Sequence, residues 1–490
     1  MEDERNLELE SLLDPPPPPG YEEEPKKTPS PKKRAPLPLF AGVCALILGL
    51  GIWIGTGIGS SKTTQPPESA QLQSPPETTT LSEPGWEANL LRADPVPYRG
   101  EDYWDWEEEA VVFPVFGSEY HREQIASVTL LDTLADAPEN AWDVSAAGDG
   151  RVMAWVTPAN DLYDLYIAAE GGIIAARDCS DLFAGYSNAK AINFGEAFHT
   201  TGAADMSCMF LGCNALPKLN LNSFDTSAVQ DMSYMFRNCK TLTELNLSCF
   251  DTSAVQNMRN MFFYCRSLTD LTLGDSFDTS AVQDMNHMFY YCESLTELTL
   301  GDSFNTSAVL DMSYMFYLCS SLTELQLGNS FDTSTVQDMG NMFVGCSSLM
   351  DLNLGDSFNT SAVQNMASMF SDCYSLTALN LSSFDTSAVQ NMSGMFARCR
   401  SLADLTLGNS FDTTAVKNMS YMFIGCRSLT ELTLNDSFDT SAVKNMRNMF
   451  NECTSLTELT LSDSFVTTNA NTTDMFTNCP AGADYQHLLN

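Results

Sequence analysis

The sequence predicts an α/β repeat solenoid in which every turn of 26 or 27 residues supplies one short strand and one short helix. Three observations predict it. From about Arg177 onward the run Phe-Asp-Thr-Ser-Ala-Val returns at near-constant intervals. Methionine, a Met-Phe pair and a cysteine follow it at fixed offsets, and Leu-x-x-Leu-x-Leu closes the unit. Within one unit the apolar spacing changes from steps of three and four to steps of two, as where a helix hands over to a strand.

One unit shows the logic. Val282, Met285, Met288, Phe289 and Cys292 step along one helical face. Asp278-Thr279-Ser280 stands before that face as a source of N-cap oxygens, and Ser280 with Gln283 fits a capping box. Leu295, Leu298 and Leu300 then read as a strand after a tight turn. A single turn of this kind cannot bury its apolar side; stacking gives each leucine a neighbour above and below at roughly the 4.8 Å strand spacing. The period varies where variation is cheap. Units with Leu381-Ser-Ser-Phe384 are one residue shorter than units with Leu273-Gly-Asp-Ser-Phe277, a change confined to the turn after the strand.

The segments before the repeats read in order. Residues 1–34 are polar, acidic and proline-rich, the composition of a disordered tail facing the cytoplasm. Residues 35–61 carry no charge, and Leu37 to Ile58 is long enough to cross a hydrocarbon core of roughly 30 Å as one transmembrane helix. Lys26, Lys27, Lys32, Lys33 and Arg34 precede it, so the positive-inside rule predicts a single-pass protein of the cell membrane with the N-terminus inside and the repeats extracellular. Gly57 and Gly59 leave cleavage of this segment open, and Gly51, Gly55 and Gly59 share a helical face that could pair two copies into a homodimer. Residues 62–110 read as an extracellular spacer and residues 111–176 as a β-rich capping region ahead of the solenoid at 177–490. In the cap, Ile125 to Leu131, Val152 to Val156 and Leu162 to Ala168 are strand-like.

The formal charge of −39 argues against nucleic acid as a partner and favours cationic or neutral ones. Eleven of the 15 cysteines, from Cys213 to Cys479, share one repeat phase. A residue recurring at one phase reads as a small buried hydrophobe; metal binding and adjacent-turn disulfides are the alternatives, with no C-x-x-C pair to support the first.

These residues carry a resemblance. The recurring Phe-Asp-Thr-Ser-Ala-Val-x-x-Met-x-x-Met-Phe-x-x-Cys-x-Ser-Leu-Thr-x-Leu-x-Leu is similar to the leucine-rich-repeat-like unit of BspA-type bacterial surface proteins, also found in mycoplasma lipoproteins, over about residues 177–480. The resemblance implies a surface protein that adheres to extracellular or host-matrix proteins. This chain departs from the lipoprotein members in lacking a lipid-attachment cysteine after its apolar segment.

No enzyme and no cofactor are expected. His121, His199, His287 and His487 are scattered, and G-x-S-x-G, H-E-x-x-H and P-loop motifs are missing. The pre-helix acids, such as Asp278 with Asn305 substituting in the next unit, fit capping before catalysis. One acidic column is a candidate ligand-binding strip: Glu244, Asp270, Glu297, Glu324, Asp351, Asp404, Glu431 and Glu458 stand immediately before the middle strand leucine, where side chains face outward. It reads either as a solvated face screened by salt or as a strip for a basic partner or for calcium. A sensor or structural role, acting through the N-terminal tail, is the rival function.

Overall fold

The computed structural model describes residues 89–95, 113–355 and 357–489. All of them belong to Thr80–Asn490, one of two compact units in the chain.

Seven strands open the described chain: β1 (Ile125–Leu131), β2 (Trp142–Asp143), β3 (Met153–Ala159), β4 (Leu162–Ala168), β5 (Ile173–Ile174), β6 (Ala191–Asn193) and β7 (Phe198–His199). Five form a sheet in the order β2-β3-β4-β1-β6. β3 and β4 are an antiparallel hairpin, while β1 runs parallel to both β4 and β6, so the sheet passes directly into the first coil. Residues 89–95 are woven into this part: the Leu91 and Arg92 amides donate to the Ile174 and Val144 carbonyls at 2.9 Å each. Arg122 is buried at the join and is held from both sides. Its Nη1 donates to the carbonyls of Asp181 and Ala184 in the first coil, at 2.7 and 2.6 Å, and its Nη2 meets the Asp94 carboxylate at 2.9 Å. A charge can be buried here because oxygen acceptors surround its ends.

The coils that follow do not contain the expected helix. Each carries two consecutive turns, and each turn has a residue with left-handed backbone at a fixed phase. One phase runs through Tyr234, Asn260, His287, Tyr314 and Asn341, with φ of 57° to 60°. The other runs through Asn238, Tyr264, Tyr291, Leu318 and Gly345, with φ of 56° to 70°. The hydrogen bonds explain the choice. The amides of Met261, Phe263 and Cys265 donate three residues back, to Met258, Asn260 and Phe262. The amides between them, on Asn260, Phe262 and Tyr264, donate to the next coil, to Asn286, Met288 and Tyr290, at 2.8 to 3.0 Å. An α-helix would turn every amide inward and, with side chains, needs roughly 10 Å between neighbours, about twice the strand spacing on the other side of the coil. A spiral of turns keeps the helix-like spacing of three and four but lets both sides of the coil advance by the same small step.

The other side of each coil carries the strand: β8 (Glu244–Leu247), β9 (Asp270–Leu273), β10 (Glu297–Thr299), β11 (Glu324–Gln326), β12 (Ala378–Leu381), β13 (Asp404–Leu407), β14 (Glu431–Leu434) and β15 (Glu458–Leu461). They pair in parallel, in small separate sheets of two, with leucine on leucine in register.

Between the two sides lie ladders of identical residues. Phe183, Phe210 and their successors to Phe476 stack ring on ring with centroids 5.3 to 6.0 Å apart. Each buried ring contributes on the order of 2 kcal/mol through area removed from water. The cysteines form a second ladder. Cys265, Cys292 and Cys319 are fully buried and unbridged, and each thiol donates to the carbonyl of the phenylalanine in the preceding coil, at 3.1 to 3.3 Å. Burial pushes the Cys265 and Cys319 thiols up to about 12 and raises Cys292 well above the ordinary thiol range, so all remain protonated donors. Thr252, Thr279 and Thr306 are a third ladder; each buried hydroxyl donates to the Asp or Asn carbonyl of the next coil at 2.7 Å. At the far end Tyr485 lies over Phe476, centroids 6.2 Å apart, and donates its hydroxyl to the Leu459 carbonyl at 2.6 Å.

The pre-helix acids accordingly do not cap helices. Asp278 Oδ1 accepts from the Ser280 amide at 2.8 Å, and Asn305 from Ser307 at 2.9 Å: these are Asx turns, which Asp and Asn make equally well. The expected transmembrane helix is also withdrawn, and with it the single-pass cell-membrane localisation. Among the described residues no helix is long and apolar enough to cross a membrane. Leu37 to Ile58, on which that expectation rested, and the glycine face at Gly51, Gly55 and Gly59 lie outside the described residues, as does the tail at 1–34.

Three outcomes test this coil. Asn341→Val should lower the thermal unfolding midpoint, at a cost of about 1–2 kcal/mol, because a β-branched residue resists left-handed backbone, whereas Asn341→Gly should be close to neutral. Cys292→Ala should cost about 1–3 kcal/mol and Cys292→Asp far more, since a carboxylate there has no cation. Alkylation of native protein read by mass spectrometry should label the exposed Cys249 and spare Cys265, Cys292 and Cys319 until denaturant is added.

Candidate functional site

All eight residues of the acidic column are exposed. The strands place them there because side chains alternate: in Glu297-Leu298-Thr299 the leucine is buried and its neighbours face water. Glu244 pairs with Asp270, Glu297 with Glu324 and Glu431 with Glu458 in direct parallel register. The column is not continuous. Asp351 stands in a coil to which no strand is assigned, and Ala378 takes the phase opposite Asp404. At its N-terminal end Lys218 meets Glu244 at 2.7 Å, an exposed pair that adds little to stability. Among the described residues no group of three His, Cys, Asp or Glu side chains could hold a metal ion, so the column offers calcium no assembled ligand set.

A second Asp/Asn column, at the residue before the first methionine of each coil, escaped the sequence reading. Asp284, Asp311 and Asp338 bridge one another in parallel, and Asn365, Asn391, Asn418 and Asn445 continue the line. Each Asp or Asn accepts from the amide two residues on, as Asp311 does from Ser313 at 2.8 Å. These carboxylates are half-buried. Burial, opposed by bonds from the Gly340 amide and Asn365, and aided by the charge of Asp311, raises Asp338 above the usual carboxylate range. Burial likewise raises Asp284, with Arg259 working against it.

The turn side carries a patch of aromatic and arginine side chains over four successive coils. Phe263, Tyr290 and Tyr317 stack at 4.5 and 4.7 Å, with the Arg237 guanidinium 4.6 Å from the Phe263 centroid. Tyr264 stacks on Tyr291 at 4.5 Å, and Arg266 lies 4.6 Å over Tyr264. His287 stacks on Tyr314 at 4.5 Å. Ring faces are consumed within the stacks, so the patch presents edges and hydroxyls. Burial, then Tyr264 and Tyr317, pushes Tyr291 up to about 12; burial, then Arg259 and Arg237, pulls His287 down to about 3. His287 is thus a neutral stacking partner and no proton carrier at ordinary pH. The sequence did hold a signal for this patch: the doublets Phe263-Tyr264 and Tyr290-Tyr291 sit just after the repeated Met-Phe, where no other coil has two aromatic residues. His121 and His199 lie in the N-terminal region and His487 at the C-terminal end, and none of them joins the patch.

The family model described as "Mycoplasma protein of unknown function, DUF285" matches residues 177–299, 270–378, 323–409 and 377–486. No curated protein matches the chain. Two solved structures are similar in part. The Toll–Spatzle complex of Drosophila shows 14% identity over 60% of this chain and 38% of that one, with a TM-score of 0.27. The functional domain of InlJ from Listeria monocytogenes, which includes a cysteine ladder, shows 15% identity over 56% and 62%, with a TM-score of 0.17. This chain therefore spans less than two thirds of either, and scores this low do not establish a common fold.

The half-buried acids give a pH test. A carboxyl whose folded value is raised holds its proton to higher pH than in the unfolded chain, so ionising it costs stability at neutral pH and the loss is recovered as pH falls through the raised value. Asp338→Asn, the residue type of the following coils, should therefore stabilise the protein at pH 7 by about 0.5–1 kcal/mol, the scale of one like-charge pair. Thermal melts at neutral pH and in the carboxylate range should show the advantage shrinking on acidification.

Proposed function

This chain belongs to the family described as Mycoplasma protein of unknown function, DUF285, and from that premise we propose that it is a non-catalytic, adhesive repeat protein of BspA type whose strand face binds basic segments of matrix-type proteins. The observation that carries the reading is the exposed carboxylate column in parallel register, one acid in most coils beside a polar Asn, Thr or Gln such as Asn246, Thr272 and Gln326. Like charges stacked at strand spacing cost stability, and a cationic ligand removes that cost when it binds. A surface repeated at constant spacing suits extended or multivalent ligands, because each further coil engaged raises avidity without new chemistry. The columns of Asp278 and Asp311 close Asx turns, which gives those acids a structural task in place of a catalytic one.

The tyrosine patch supports a second reading. Tyrosine and arginine are over-represented among the residues that dominate protein–protein binding energy, and Tyr264, Tyr291 and Arg266 offer both.

Binding of the purified protein to immobilised matrix proteins should weaken as salt rises, because exposed charges are screened over about 8 Å at physiological ionic strength. Glu297→Gln, Glu324→Gln and Asp351→Asn together should reduce affinity on the order of tenfold without lowering the unfolding midpoint. Affinity that ignores both salt and these changes, yet falls with Tyr291→Ala and Arg266→Ala, would move the binding site to the patch.

A further inference from the structure

Between the Asx turn and the methionines, each coil from Val229 to Val443 presents one outward side chain immediately after its buried valine. Backbone amide-to-carbonyl bonds of 2.8 to 3.2 Å join these residues from coil to coil, as from Lys444 to Lys417, Lys417 to Gln390 and Gln390 to Gln364, so the column advances at roughly the 4.8 Å of a parallel ladder. All of its members are exposed. Its composition is directional. On the C-terminal side of Gln364 come Gln390, Lys417 and Lys444, flanked by the neutral Asn391, Asn418 and Asn445. On the N-terminal side come Gln337, Leu310 and Gln283, flanked by Asp338, Asp311 and Asp284.

Each half bears an electrostatic cost. Lys417 and Lys444 are like charges on adjacent coils, and neither has an acidic partner within ion-pair distance among the described residues. Asp284 and Asp338 are raised by burial, with Asp311 adding its charge to both. Leu310 is 49% exposed, a large apolar side chain in a column otherwise of glutamine and lysine.

We propose that this edge is a homodimer interface, in which two copies lie antiparallel about a two-fold axis through the Gln364 coil. The pattern is self-complementary about that coil. Two coils away on either side, Lys417 of one copy faces Leu310 and Asp311 of the other; three coils away, Lys444 faces Gln283 and Asp284. The ammonium groups meet carboxylates while the lysine stem covers the exposed leucine. At the centre, Gln337 and Gln390 face each other and Gln364 faces its own copy, so amides meet amides. An isologous contact uses every charge pair twice, which is the economy that two-fold dimers exploit. The strip is narrow, so the dimer is weak, concentration-dependent and salt-sensitive.

Sedimentation equilibrium of the full chain tests this with a charge exchange on exposed side chains only. Wild type should rise with concentration toward twice its 53.8 kDa at low salt and fall back at high salt. Lys417→Glu/Lys444→Glu should weaken the dimer by about tenfold or more, and so should Gln283→Lys/Leu310→Lys, which places lysine at a phase where two sibling coils already carry it. An equimolar mixture of the two variants should recover the dimer, because both contacts are then cation to carboxylate. A wild type that stays monomeric, variants that associate as wild type does, or a mixture that stays monomeric would each overturn the proposal.

Discussion

Every coil of this protein hangs on a division of its amide groups. Alternate N–H groups on the turn side close local turns, and those between them reach the next coil at parallel-strand distance, as in the pair of bonds from Phe262 to Met288 and Tyr264 to Tyr290. Because strand and turn sides then advance by the same few ångströms, each residue lies directly over its equivalent one coil away. Phenylalanine meets phenylalanine, cysteine meets the carbonyl beside the previous cysteine, and a threonine hydroxyl meets the next Asx carbonyl. The near-literal repetition of the sequence follows from this. A side chain must suit a copy of itself above and below, and a departure disturbs two interfaces at once.

The same constraint decides what the sequence reveals. The period, the buried leucines and the outward acidic column are legible because strand alternation is a two-residue code, and Glu-Leu-Thr-Leu can be laid on a strand only one way up. The turn spiral was misread as a helix because Val282, Met285, Met288, Phe289 and Cys292 keep steps of three and four in either conformation. The discriminating signal lay elsewhere. Glycine or asparagine recurs at two fixed phases in the middle of the supposed helix, at Asn238, Gly345 and Gly425 in one and at Asn260, Asn341 and Gly394 in the other. Both residues are poor helix formers and ready adopters of left-handed backbone, so their recurrence there points to turns.

The site was legible by halves. The strand column could be listed from the sequence because each acid sits beside a leucine whose burial is certain. The tyrosine patch could not, because it is built from the positions that break the repeat. That Phe263, Tyr290 and Tyr317 form one stack, and that Arg237 closes its end, follows only when steps of 26 and 27 residues are turned into vertical neighbours. Repetition hides such a site: the eye reads the consensus, while the patch consists of its exceptions.

Charge shows how burial grades the freedom of each column. A titratable residue in a stack faces its own kind, so like-charge repulsion accumulates with coil number unless water screens it. On the strand face, where the side chains are exposed, carboxylates persist over most of the coils from Glu244 to Glu458. In the half-buried bridging column they do not: Asp gives way to Asn from Asn365 onward, and earlier at Asn257, which donates to Asp231 at 3.1 Å. Asn keeps the Asx turn and discards the charge. The Asx turn itself therefore requires no carboxylate. The acids on the strand face stand where ionisation costs least and where a cationic ligand can reach them, and this supports the reading proposed for that face.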